Sequence, residues 1–128
     1  MTEEKRPRII PIYTSRGDAE AFLVYPYLFN RLGEWIGWVT PKREVYSVLG
    51  HYVGYLTDEP RILRKMVTSR LKPKRTPPPP PPAKVYPPAT VPLAPLMREL
   101  RFGIIDVLLD EPERLHPLDS GELREDMD

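Results

Sequence analysis

Three stretches decide the fold: Ile12-Tyr13-Thr14-Ser15-Arg16-Gly17-Asp18-Ala19-Glu20-Ala21-Phe22-Leu23, Leu28-Phe29-Asn30-Arg31-Leu32-Gly33-Glu34-Trp35-Ile36-Gly37-Trp38-Val39, and Val45-Tyr46-Ser47-Val48-Leu49-Gly50-His51-Tyr52-Val53-Gly54-Tyr55-Leu56. They align on Gly17, Gly33 and Gly50, with spacings of 16 and 17 residues. Counted from the central glycine, position −5 is aliphatic, −4 is aromatic (Tyr13, Phe29, Tyr46), +4 is small (Ala21, Gly37, Gly54), +5 is aromatic (Phe22, Trp38, Tyr55) and +6 is aliphatic in every copy. Self-similarity at a fixed period is the mark of a repeat-built architecture.

Each unit reads as a β-hairpin. β-branched and aromatic residues flank a glycine able to take the positive φ that a tight turn requires. The small residue at +4 and the aromatic at −4 lie equally far from the turn. That spacing allows the ring to cover a bare stretch of backbone; alternatively, the small residue marks close approach by a neighbouring strand. The connectors contain Pro26, Pro41 and Pro60, which interrupt a ladder because proline has no N–H to donate. The expected fold is mainly β: a small antiparallel array of three readable hairpins, followed by a Pro-rich linker and one C-terminal helix.

These residues resemble the four-fold β-flower domain of small bacterial proteins over about residues 12–56, and the phrase Leu49 to Asp58 is similar to the short strand motif of PRC-type barrels. A flower implies four petals. The fourth is then degenerate around Ile62-Leu63, supplied by the C-terminal half, or absent. Neither resemblance carries a catalytic residue with it.

Beyond the repeat, charge is segregated. Arg61, Arg64, Lys65, Arg70, Lys72, Lys74 and Arg75 form a run without an acid, whereas residues 106–128 hold nine acids against two arginines. The basic run is a candidate binding segment for nucleic acid or an anionic surface, although no aromatic is interleaved with it for base stacking. Eighteen prolines are present, eleven of them between Pro73 and Pro95, and Pro77–Pro82 is an unbroken run that favours a stiff polyproline II spacer. Leu96, Leu100, Ile104, Val107 and Leu108 then recur at helical spacing, which predicts a helix over 95–111 with an apolar face for a partner. The expected organisation is an arm at 1–11, a β-repeat domain at 12–72, a linker at 73–94, the helix at 95–111 and an acidic tail at 112–128.

The absence of cysteine excludes disulfides, thiolate catalysis and sulfur-ligated zinc. His51 sits one residue after the third turn glycine, where the other units have Asp18 and Glu34, and His116 lies far from it in the tail; the two make no metal-ligand pattern and no cofactor is expected. No serine-nucleophile or phosphate-cradling motif is present. The N-terminus lacks the apolar run of a signal peptide, and no stretch reaches the length of a membrane span, so a cytoplasmic location is the expectation. The folded segment is too small to bury a robust core alone. It is therefore expected to recruit a protein partner, a second copy included, in a non-enzymatic structural or interaction role.

Overall fold

A computed structural model describes residues 8–67, 72–82 and 85–118. Eight strands, β1 (Ile10–Tyr13), β2 (Ala19–Val24), β3 (Tyr27–Asn30), β4 (Trp35–Val39), β5 (Glu44–Ser47), β6 (Tyr52–Leu56), β7 (Ile62–Lys65) and β8 (Ile104–Asp106), form one antiparallel sheet in sequence order. A short helix α1 (Val107–Asp110) and a 3-10 turn (Pro112–Arg114) follow.

The three glycine-centred units are the hairpins β1–β2, β3–β4 and β5–β6, and they share one turn. In the first, Thr14 N–H donates to the Asp18 carbonyl at 2.8 Å and Gly17 N–H to the Thr14 carbonyl at 2.9 Å. Asn30 with Gly33 and Glu34, and Ser47 with Gly50 and His51, repeat this pattern. This is a three-residue loop closed by a left-handed residue, and the three glycines have φ of 93°, 81° and 92°. The polar residue that opens each loop caps it: Thr14, Asn30 and Ser47 accept backbone N–H groups on their side-chain oxygens. The β4–β5 connector builds the same loop, with Thr40 as the cap and Arg43 at φ 67° in the glycine's place.

Each unit also carries a bulge at the same place. Ile12 pairs with Ala21 but Tyr13 with Ala19; Leu28 pairs with Gly37 but Phe29 with Trp35; Val45 pairs with Gly54 but Tyr46 with Tyr52. The extra residue bends the strand, and three such bends curl the sheet. They also decide between the two explanations of the small +4 residue. It sits opposite the aliphatic −5 side chain, not the aromatic. A Cβ on Gly37 would stand 2.6 Å from the Tyr46 carbonyl oxygen, and one on Gly54 would overlap the Leu63 carbonyl. Close approach of the next strand, rather than cover by a ring, requires the small residue.

Strand alternation then sorts the side chains onto two faces. One face holds Ile12, Ala21, Leu23, Leu28, Val39, Val45, Leu56 and Ile62, with the bulge residues Ile36 and Val53 beside them, and is closed by Val107, Leu108 and Leu115. The opposite face is aromatic: Tyr13, Phe22, Phe29, Trp38 and Tyr46 are all buried. Trp38 stacks on Tyr46 at 5.1 Å between ring centroids.

A fourth antiparallel pair exists, and it is split. β7 comes from the Ile62-Leu63 region and β8 from the C-terminal half, so both places named for a fourth unit contribute to it. Met66 N–H donates to the Gly103 carbonyl where a turn would otherwise close the hairpin. The chain between them makes a long excursion. The C-terminal helix is present but reduced to Val107–Asp110. Gly103 has φ of 88°, outside the helical region, and Ile104–Asp106 is drawn into pairing with β7, whose edge would otherwise leave its backbone groups unbonded.

Gly54→Ala is expected to lower the unfolding free energy by about 1–3 kcal/mol through overpacking, read from a urea titration. Leu32→Ala, at a side chain 71% exposed, should stay within about 0.5 kcal/mol of wild type. Equal effects at both sites would contradict the close-approach explanation.

Candidate functional site

The excursion between β7 and β8 is the feature that no single repeat explains. Residues 72–82 and 85–102 run over the aromatic face as a strap and meet the hairpin tips in reverse order. Arg75 N–H donates to the Gly50 carbonyl at 3.0 Å. A Cβ on Gly33 would overlap the Val85 carbonyl, and one on Gly17 would stand 3.8 Å from the Ala94 methyl. The glycines that close the turns thus also give this strap its seats.

Prolines lack an N–H, and a polyproline II segment makes no internal hydrogen bonds, so its carbonyls need outside donors. The sheet supplies them as tyrosine hydroxyls. Tyr27 Oη donates to the Pro79 carbonyl and Tyr13 Oη to the Pro92 carbonyl, each at 2.7 Å. Between these bonds Phe22 shares a small cleft with Pro87, Pro88 and Val91.

The strap begins in a charged contact. Glu44 accepts from Lys72 Nζ at 3.0 Å and lies 3.6 Å from the Arg75 guanidinium. Lys72 stands over the Tyr52 ring at 5.3 Å and Arg75 over the Tyr46 ring at 5.6 Å. The hydrogen bond to Glu44 raises the Lys72 pKa, and partial burial raises that of Tyr52. Lys42, Glu44, Lys72 and Arg75 border an open cleft of about 570 Å³ there.

It ends in a buried polar cluster. Arg61, with its side chain 3% exposed, donates to Glu59 at 2.7 Å, to Ser15 Oγ at 2.8 Å and to the Arg98 carbonyl at 3.1 Å. Asp106 accepts from both Ser15 N–H and Ser15 Oγ–H at 2.6 Å and caps α1 through Leu109 N–H. Tyr13 N–H donates to the Pro60 carbonyl in the same region at 3.1 Å. One cluster therefore ties the first turn, the β6–β7 loop, the strap and the β8–α1 junction together. Ser15 Oγ is held between an arginine donor and a carboxylate acceptor, a bridging role. Nearby, Glu111 receives both Arg64 and Arg114; Arg64 Nε is buried without a hydrogen-bond partner.

The residues singled out from sequence divide accordingly. Gly17, Gly33 and Gly50 seat the strap, and Tyr13, Phe22, Phe29, Trp38 and Tyr46 form the face beneath it; Tyr55 is half-buried and pairs with Glu44 and Leu63. The basic run is dispersed: Arg61, Arg64, Lys72 and Arg75 face carboxylates, Lys74 is exposed, Lys65 ends β7, and Arg70 lies outside the described residues. The intended helix face is dispersed too. Leu96 is fully exposed, Leu100 half-buried, Ile104 in β8, and Val107 and Leu108 in the core. Sequence reasoning missed Tyr27, Ser15, Glu59 and Asp106. It also missed the row Val91, Ala94, Met97 and Leu100, whose three-residue period is that of polyproline II and was legible.

Among the described residues, no group of three or more His, Asp or Glu side chains is placed to hold a metal ion, and no helix is long and apolar enough to cross a membrane. No protein-family model, curated protein or solved structure matches the chain.

The hydrogen bond from Arg61 holds the Glu59 carboxyl below its ordinary range, and the one from Arg64 does the same for Glu111. Their contribution to stability is complete above the unfolded-state pKa and is lost as pH falls through the lowered folded-state value. Urea midpoints measured from about pH 7 to about pH 3 should decline on the acid side, and Glu59→Gln should flatten that decline. An unchanged acid limb in this variant would remove Glu59 from the account.

Proposed function

We propose that the chain is a non-enzymatic protein-interaction module in which the curled sheet is a rigid mount and the proline-rich strap is the part presented to a protein partner. The observation that carries this reading is the pair of tyrosine hydroxyl bonds to Pro79 and Pro92, set between seats at all three turn glycines. A spacer needs no such fixing. A segment meant for recognition gains from it, because ordering is completed before the partner arrives.

Exposed apolar side chains support the reading. Tyr86, Leu93, Leu96 and Phe102 on the strap are 77%, 95%, 102% and 101% exposed, and Met66 and Val67 beside Gly103 are 53% and 82% exposed. Large exposed apolar groups gathered on one segment mark contact surfaces. The alternative, an anionic polymer held by 61–75, has less support, since most of the described cations there already face carboxylates. The four-petal resemblance fits this module as an expectation about fold only.

Backbone NMR relaxation on the full chain tests the mount. Order parameters at Val91, Ala94, Leu96 and Met97 should match those of the strands, about 0.85, and should fall toward about 0.6 in Tyr13→Phe/Tyr27→Phe, while the strands keep theirs. A strap already mobile in the wild-type chain would overturn the proposal.

A further inference from the structure

Burial along the strap has a period of three. Val91, Ala94, Met97 and Leu100 are half-buried, and the two residues between each successive pair are exposed. Polyproline II has three residues per turn, so such a segment is a triangular prism with three rows. One row lies on the sheet: Val91 lines the cleft with Phe22, and Ala94 sits against Gly17. The other two rows face outward. One is Pro92, Pro95, Arg98 and Arg101; the other is Leu93, Leu96, Glu99 and Phe102.

This ridge is fixed at both ends. Tyr13 Oη holds the Pro92 carbonyl at 2.7 Å. At the other end Arg98 donates its N–H to Glu59 at 3.4 Å and receives Arg61 on its carbonyl at 3.1 Å, which leaves its guanidinium outside. The backbone from Pro92 to Arg98 is thereby set before any partner binds. The aliphatic side chains of the second row remain almost wholly in water, spaced at about 9 Å per turn.

We propose that the ridge formed by Pro92, Leu93, Pro95 and Leu96, with Arg98 and Arg101 beside it, is the docking surface for a protein that carries an aromatic-lined polyproline groove bordered by carboxylates. Such grooves take two adjacent rows of a polyproline II helix between aromatic rings and use an acid to read a flanking cation. The ridge offers both rows and the cation. The run Pro77–Pro82 follows Lys74 and Arg75, but it carries no aliphatic row, Arg75 already faces Glu44, and the Pro79 carbonyl is already engaged by Tyr27. A second copy is a poorer occupant, because its aromatic face lies under its own strap. The inference rests on the rigid presentation proposed above.

The test uses the isotope-labelled full chain titrated with a panel of isolated SH3 domains that have acidic borders, each added to millimolar concentration. Saturable shifts confined to residues 92–102 are expected with at least one of them. Leu93→Ser/Leu96→Ser and Arg98→Glu should each weaken that binding by about tenfold or more, equivalent to about 1.4 kcal/mol, with the strand resonances unchanged. Shifts centred on Pro77–Pro82, equal affinity in both variants, or no binding across the panel by a chain whose strap is rigid would overturn the ridge proposal and leave the mount standing. Concentration-dependent shifts at Leu93 and Leu96 in the absence of any probe would make a second copy the occupant and overturn it likewise. A mobile strap would instead remove the mount itself.

Discussion

An extended proline-rich chain offers carbonyls with no internal donors, and a β-sheet rich in aromatic residues has one face too apolar to leave in water. In this protein the two requirements meet. The strap accepts the hydroxyls of Tyr13 and Tyr27, and its side chains help to keep Phe22, Phe29, Trp38 and Tyr46 from solvent. This contact supplies what the sheet lacks. With an aliphatic face closed by Val107, Leu108 and Leu115 and an aromatic face closed by the strap, a small set of hairpins becomes a two-sided core.

The strap is anchored by contacts of different character. At its start, Lys72 and Arg75 meet Glu44 and aromatic rings at a partly exposed site, where solvent screening limits the worth of the ion pairs. At its end, Arg61 and Asp106 are almost wholly buried, and every group they approach is hydrogen-bonded. Removing one member of such a cluster is costly, because it leaves a buried charge without its hydrogen bonds. The cluster also explains how β8, arriving after the long excursion, finds its place: the Asp106 carboxylate binds the first turn while Ile104–Asp106 pairs with β7.

Much of the fold was legible, and for local reasons. A left-handed turn residue is a demand of a single position, so Gly17, Gly33 and Gly50 announce their turns. Thr14, Asn30 and Ser47 carried an equally local signal as loop caps, and with Thr40 in view they would have disclosed the connector loop as well. One misreading was of period. Leu96, Leu100, Ile104, Val107 and Leu108 satisfy a 3.6-residue repeat, yet the row in contact with the sheet is Val91, Ala94, Met97 and Leu100. The basic run suggested a surface field, whereas several of its members bond to carboxylates distant in sequence, Glu111 for Arg64 and Glu44 for Lys72.

By itself, then, the sequence determined the hairpins, their turns and the alternation of aliphatic and aromatic positions, since each depends on residues a few places apart. Only the tertiary structure decided that the fourth hairpin is split, that the strap folds back across the glycine turns, and that Ser15, Arg61 and Asp106 converge. Those outcomes depend on which surfaces remain uncovered once the sheet has curled. A tyrosine hydroxyl that reaches a proline carbonyl 79 residues away leaves no periodic trace in the chain.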